Sequence, residues 1–126
     1  MTATALVGVT VAGAVGAPAR YLLDRAVQRR VGRTLFPWGT FAVNITGSLL
    51  LGLVTGAALY HGFHGAPRAW LATGFCGAYT TFSTLTFETL GLAEAGDRTP
   101  AVANVVASLL AGTAAAAAGL AIAAAF

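Results

Sequence analysis

The sequence predicts an all-α membrane protein of four transmembrane helices, and three observations carry that prediction. Of its 126 residues, 57% are hydrophobic and 9% charged, with a mean hydropathy of +0.78, well outside the range of soluble globular chains. The apolar residues fall into four segments, each long enough to cross a bilayer. The loops between them are short and leave no room for a soluble domain, so residues 1–126 read as a single four-helix transmembrane domain.

The first segment runs from Ala3 to Leu23, with Gly8, Gly13, Gly16 and Pro18 ahead of Arg20. Its small residues permit close helix contact. The run from Ala12 to Ala19 resembles a cleavage site, but no basic residue precedes it, so the segment is read as a mature helix and not a signal peptide. An arginine-rich linker, Asp24 to Arg33, leads to the second segment, Leu35 to Tyr60, which carries no formal charge. The loop HGFHGAPR, residues 61–68, precedes the third segment, Ala69 to Leu90, and a polar loop with Glu94, Asp97 and Arg98 follows it. The fourth segment, Pro100 to Phe126, is uncharged and rich in alanine, and Gly112 and Gly119 suit it to close packing. Four helices fill their own interior with side chains, so conduction of any kind calls for an oligomer.

The net charge is +3 and every basic residue is an arginine. No basic face is interleaved with aromatics, so the charge reads as membrane topology and not as nucleic-acid binding. Arg25, Arg29, Arg30 and Arg33 in the first loop, with Arg98 in the third, oppose only Arg68. That bias predicts the first and third loops inside and both termini outside. Cys76 stands alone, so no internal disulfide or thiolate cage can form, and it reads as a small packing residue. His61 and His64 have the spacing of a metal pair but lack neighbouring acids or thiols, which weighs against a metal site. No acid pair, nucleophile with base, or phosphate loop is present, so the chain is not read as an enzyme.

Polar groups inside the spans carry the functional argument, because in hydrocarbon they must find a partner, line water or bind something. Thr40, Asn44 and Ser48 recur every four residues and share one helical face. Hydroxyls alone read as interhelical hydrogen bonding, but the Asn44 amide brings two donors that need satisfaction at mid-membrane. In the stretch FCGAYTTFSTLTFE, residues 75–88, Gly74, Gly77 and the run Tyr79, Thr80, Thr81 weaken the helix. A break there would free backbone groups as ion ligands; a continuous helix with back-bonded hydroxyls is the alternative. Phe82 beside Ser83 and Thr84 offers a ring edge to an anion, or simple packing. Glu88, the one acid inside a span, fits a buried functional carboxylate or an interfacial one. Arg20 fits a snorkelling side chain or an electropositive entrance.

Three stretches together, GAVGAPARY at 13–21, PWGTFAVNITGSLLLG at 37–52 and GFCGAYTTFSTLTFE at 74–88, resemble the Fluc (CrcB) family of fluoride channels. The resemblance covers most of the chain. It implies an antiparallel, dual-topology dimer with two pores, passive fluoride export from the cytoplasm across the cell (inner) membrane, and a sodium ion at the dimer interface. Carried over, Asn44 is the pore-lining amide, Phe82 one of a phenylalanine pair, and Ser83 and Thr84 part of a hydroxyl track. The third helix is broken near Gly77–Thr80, and the main-chain carbonyls of Gly77 and Thr80 hold the sodium. Arg20 matches the motif arginine near the aqueous vestibule, and Glu88 the acid that follows the track.

Two departures stand out. The second phenylalanine of the family pair belongs at position 85, where this chain has Leu85. Phe87 is no substitute, since two residues turn a helix by about 200°. The arginine bias also sits badly with dual topology. A subunit that pairs with an inverted paralogue as a heterodimer would account for both. A small multidrug-type, proton-coupled exporter is the competing class, but it needs a carboxylate within the first helix, and no acid precedes Asp24. Whether Asn104 and Ser108, on one face of the fourth segment, reach a pore is left open by the sequence.

Overall fold

The computed structural model describes residues 2–126, which are helical apart from short connections, with no strand among the described residues. Helix α1 spans Ala3–Val31, and the Thr2 hydroxyl caps it by accepting from the Ala5 amide at 3.1 Å. The expected linker from Asp24 to Arg33 is instead helical as far as Val31. No glycine or proline interrupts it, and Ala26, Gln28, Arg29 and Arg30 are good helix formers. Gly32, at φ 79°, ends the helix with a backbone few other residues adopt.

Helix α2 spans Trp38–His61 and stops at the left-handed Gly62. The third segment is assembled from pieces: α3, Ala66–Ala69; a π-helical stretch, Trp70–Cys76; α4, Gly77–Tyr79; and α5, Ser83–Glu94. Helix α6 spans Arg98–Ala125. By length and composition α1, α2 and α6 can each cross a membrane. The third segment is interrupted as the sequence suggested, at the Thr80 end of the expected Gly77–Thr80 stretch. Gly77 is helical at φ −62° and ψ −37°, whereas Thr80 is extended with ψ 158°.

The helices pack as two pairs, each running in parallel. In one, α2 lies along α6: Gly52 faces the Ala116 carbonyl, Gly56 meets Ala123, and Gly119 rests on the backbone of Leu49 to Leu53. In the other, α1 lies along residues 66–79: the Trp70 indole covers Gly8, the Phe75 carbonyl lies over Gly16, and Gly74 sits against Val9. Helices in lipid gain no hydrophobic drive toward one another, so association depends on such close approach. At the far end of the first pair, His61 Nε2 lies 2.7 Å from the Ala123 carbonyl oxygen, in the last turn of α6 where carbonyls lack helical donors.

A Cβ at Gly119 would run into α2 backbone, while one at Gly112 would meet only the Ser48 hydroxyl at 3.6 Å. Gly119→Ala should therefore cost about 1–3 kcal/mol, and Gly112→Ala should be neutral or gain up to about 1 kcal/mol from helix propensity. Thermal unfolding of the purified variants in detergent checks the contrast.

Candidate functional site

The site is built where the third segment loses its helical hydrogen bonds. In an unbroken helix the Thr81 amide would donate to the Gly77 carbonyl. Here it donates instead to Asn44 Oδ1 at 2.9 Å, and Asn44 Nδ2 donates to the Thr81 carbonyl at 3.0 Å. One side chain of α2 thus replaces a stretch of backbone ladder, and one Nδ2 hydrogen of Asn44 remains for another acceptor. The hydroxyl of Thr81 then accepts from the Thr84 amide at 3.1 Å, which caps the start of α5. The same hydroxyl lies 3.2 Å from Thr84 Oγ1 and 3.3 Å from Ser83 Oγ.

The carbonyls of Gly77 and Thr80 follow from this. The amides four residues on, those of Thr81 and Thr84, are committed to Asn44 and to the Thr81 hydroxyl. Thr80 secures its own hydroxyl by donating to the Cys76 carbonyl at 2.8 Å. Tyr79 anchors the end of α4, buried and stacked on Phe75 with 5.3 Å between centroids, its hydroxyl 2.7 Å from Thr46 Oγ1. Gly47 lets the third segment come this close, since a Cβ there would strike Thr80 and Tyr79.

Two polar pockets flank the break. One, of about 210 Å³, is lined by Arg20 and Asp24 from α1, Thr40 from α2, and Thr81 and Thr84. At its edge Glu88 accepts from Thr40 Oγ1 at 2.5 Å, which ties its carboxylate to α2. Arg20 is half-buried and lines this pocket. The other, of about 230 Å³, is lined by Asn44, Ser48, Thr80, Thr81, Phe82 and Leu85. Thr81 belongs to both, and is itself buried. The second pocket opens outward, with Phe82 79% exposed; Ser83 and Gly77 are exposed as well.

The sequence-predicted residues are thereby gathered at one break, with different duties. Asn44 was expected as a lining amide, and it is also the clamp on Thr81. Thr84 faces the Arg20 pocket, Phe82 and Leu85 the outer groove. Asn104 and Ser108 line neither. Asn104 is 0% exposed, and donates to Thr89 Oγ1 at 2.9 Å, tying α6 to α5, with Ser108 Oγ 3.5 Å from its Oδ1. Thr81 and Asp24 are the residues that reading missed. The Thr81-x-x-Thr84 spacing is that of a helix cap and its receiver, a signal present in the sequence. A larger apolar groove of about 820 Å³, between α1 and Trp70, has no acid, arginine or histidine in its lining.

Three helices long and apolar enough to cross a bilayer, with a hydrogen-bonded break in the segment between them, define a multi-pass membrane protein. The chain belongs to the CrcB-like family, described as "CrcB-like protein, Camphor Resistance (CrcB)", whose profile matches residues 7–120. It is 57% identical to "Fluoride-specific ion channel FluC 1" of Frankia casuarinae, over 87% of this chain and 88% of that protein. The FluC 1 of Streptomyces avermitilis is 53% identical over 87% and 89%. The FluC 2 of Mycobacterium tuberculosis is 48% identical over 92% and 88%. These relatives are named as channels, in keeping with the expectation of a non-enzyme.

Asn44→Ala removes both bonds to Thr81 and leaves its amide and carbonyl without partners. The expected cost is about 2–4 kcal/mol, with hydrogen exchange at residues 80–84 rising well above that of α2. Unfolding in detergent and exchange mass spectrometry check both halves.

Proposed function

We propose that this chain is a subunit of a fluoride-selective channel that lets fluoride leave the cytoplasm passively across the cell membrane. The observation that carries the reading is the clamped break: neutral donors gathered at mid-segment without a fixed cation beside Asn44. Fluoride is small and strongly hydrated, so a selective path must replace water with hydrogen-bond donors yet still release the ion. The free Nδ2 hydrogen of Asn44, the hydroxyls of Ser48, Ser83 and Thr84, and the edge of Phe82 have that character. Arg20 supplies positive potential at the inner pocket, which serves as the vestibule. Glu88, bonded to Thr40, fixes the vestibule's far edge.

In this reading the third segment, residues 66–94, crosses the membrane as a fourth span, and two chains pack antiparallel. Gly77 supports the dimer: nothing lies within 4 Å of a Cβ built there, so packing inside one chain gives no reason for glycine. Phe82, which lines the outer groove, is exposed, and a partner there would close that groove into a path. Residues Gly77 and Thr80 would hold a sodium ion. Their carbonyls have lost helical donors, and a hard cation favours such oxygens. When bound, that ion would lend positive field to a nearby anion path.

A heterodimer with an inverted paralogue is the second reading, and Leu85 favours it. Leu85 lines the groove beside Phe82 but offers no polarised ring edge. A multidrug-type exporter lacks support, since the only carboxylate of α1 is Asp24, near its arginine-rich end.

Proteoliposomes loaded with fluoride and read with a fluoride electrode test the function; efflux far faster than that of chloride is expected. Leu85→Phe should raise fluoride flux about two- to tenfold, the worth of one aromatic edge. No efflux from the pure chain, with efflux restored by a co-expressed paralogue, selects the heterodimer. No efflux under any pairing rejects the channel. Replacing sodium with a bulky organic cation should lower the melting temperature and favour dissociation of the dimer on size-exclusion chromatography.

A further inference from the structure

We infer that Asp24 is a rate-tuning residue of the vestibule: a carboxylate that offsets Arg20 and lies against the first turn of α2, so that fluoride is admitted without being trapped. The inference rests on the channel reading above. Arg20 and Asp24 lie four apart on α1, one above the other, and line the same pocket. Asp24 also reaches across to α2. Its carboxylate packs directly on Gly39, in the first turn of that helix, so closely that a Cβ at Gly39 would overlap Oδ1.

Helix α2 has no side-chain cap and no acid of its own in that turn. The first turn of a helix carries partial positive charge. Asp24 supplies a negative charge beside that turn, yet its Oδ1 is buried and makes no hydrogen bond. A buried carboxylate oxygen without a donor is costly where it stands. Arginine one turn away and the positive end of α2 are what favour it there. Those are the same two features that would otherwise hold a mobile anion, so Asp24 competes with fluoride for both. The Thr40 hydroxyl, next in sequence to Gly39, is committed to Glu88 and cannot serve Asp24.

The test compares fluoride efflux against concentration for the parent, Asp24→Asn, Arg20→Gln and the double variant. Asp24→Asn keeps the shape of the side chain and removes its charge. It should lower the half-saturating fluoride concentration roughly two- to fivefold, the range for one partly solvated charge pair, and lower the maximal rate. With Arg20 already replaced, the same change should shift half-saturation less. Gly39→Ala, which displaces the carboxylate and leaves Asp24 intact, should shift half-saturation in the same direction. An unchanged half-saturation in Asp24→Asn, in a parent that conducts, overturns this inference and leaves the channel reading standing. An equal shift with and without Arg20 also overturns it. A parent with no flux overturns both.

Discussion

A helix can stop inside a membrane only if protein groups or a water-filled cavity take over its hydrogen bonds. Here that condition is met by a single amide. Asn44 donates to the Thr81 carbonyl and accepts from the Thr81 amide, and the rest of the site follows. Because the Thr81 amide is taken, the Gly77 carbonyl is released. Because the Thr81 hydroxyl then caps α5, the Thr80 carbonyl is released as well. The break therefore arises from side chains that outbid the backbone for its own donors, more than from glycine's flexibility.

Close packing makes this possible. The clamp needs α2 and the third segment in near contact, and Gly47 provides it; α1 needs the same of Gly16 and Gly74. The parallel pair of α2 and α6 holds the clamp's base rigid, while Asn104 fastens α5 through Thr89. Few large side chains are fully buried, and among the described residues Val43 and Asn104 head them. The molecule is held by backbone proximity and a few directed bonds in place of a thick apolar core.

The all-helical fold, the three helices long and apolar enough to cross a membrane, and the interruption of the third segment were legible in the sequence, because hydropathy and glycine placement are local signals. So was the shared face of Thr40, Asn44 and Ser48, which follows from helical period alone. The partners of that face were not. Nothing local indicates that Thr40 meets Glu88, 48 residues away, or that Asn44 meets Thr81, 37 away. The break, expected near Gly77–Thr80, falls at the Thr80 end of that stretch and runs to Phe82 for that reason: composition marks where a helix is weak, and tertiary bonds decide where it ends. The end of α1 was misjudged in the opposite sense. Charge was taken as a boundary, though arginine is a good helix former and only Gly32 stops the chain.

The interruption also bears on how the chain enters a membrane during synthesis. Residues 66–94 carry freed carbonyls and a polar cap at their midpoint, so they are poorly suited to stand alone among acyl chains. Their remedy, Asn44, leaves the ribosome before Thr81 does. Moving α2 behind the third segment in a permuted gene would keep every final contact and deprive the nascent segment of its escort.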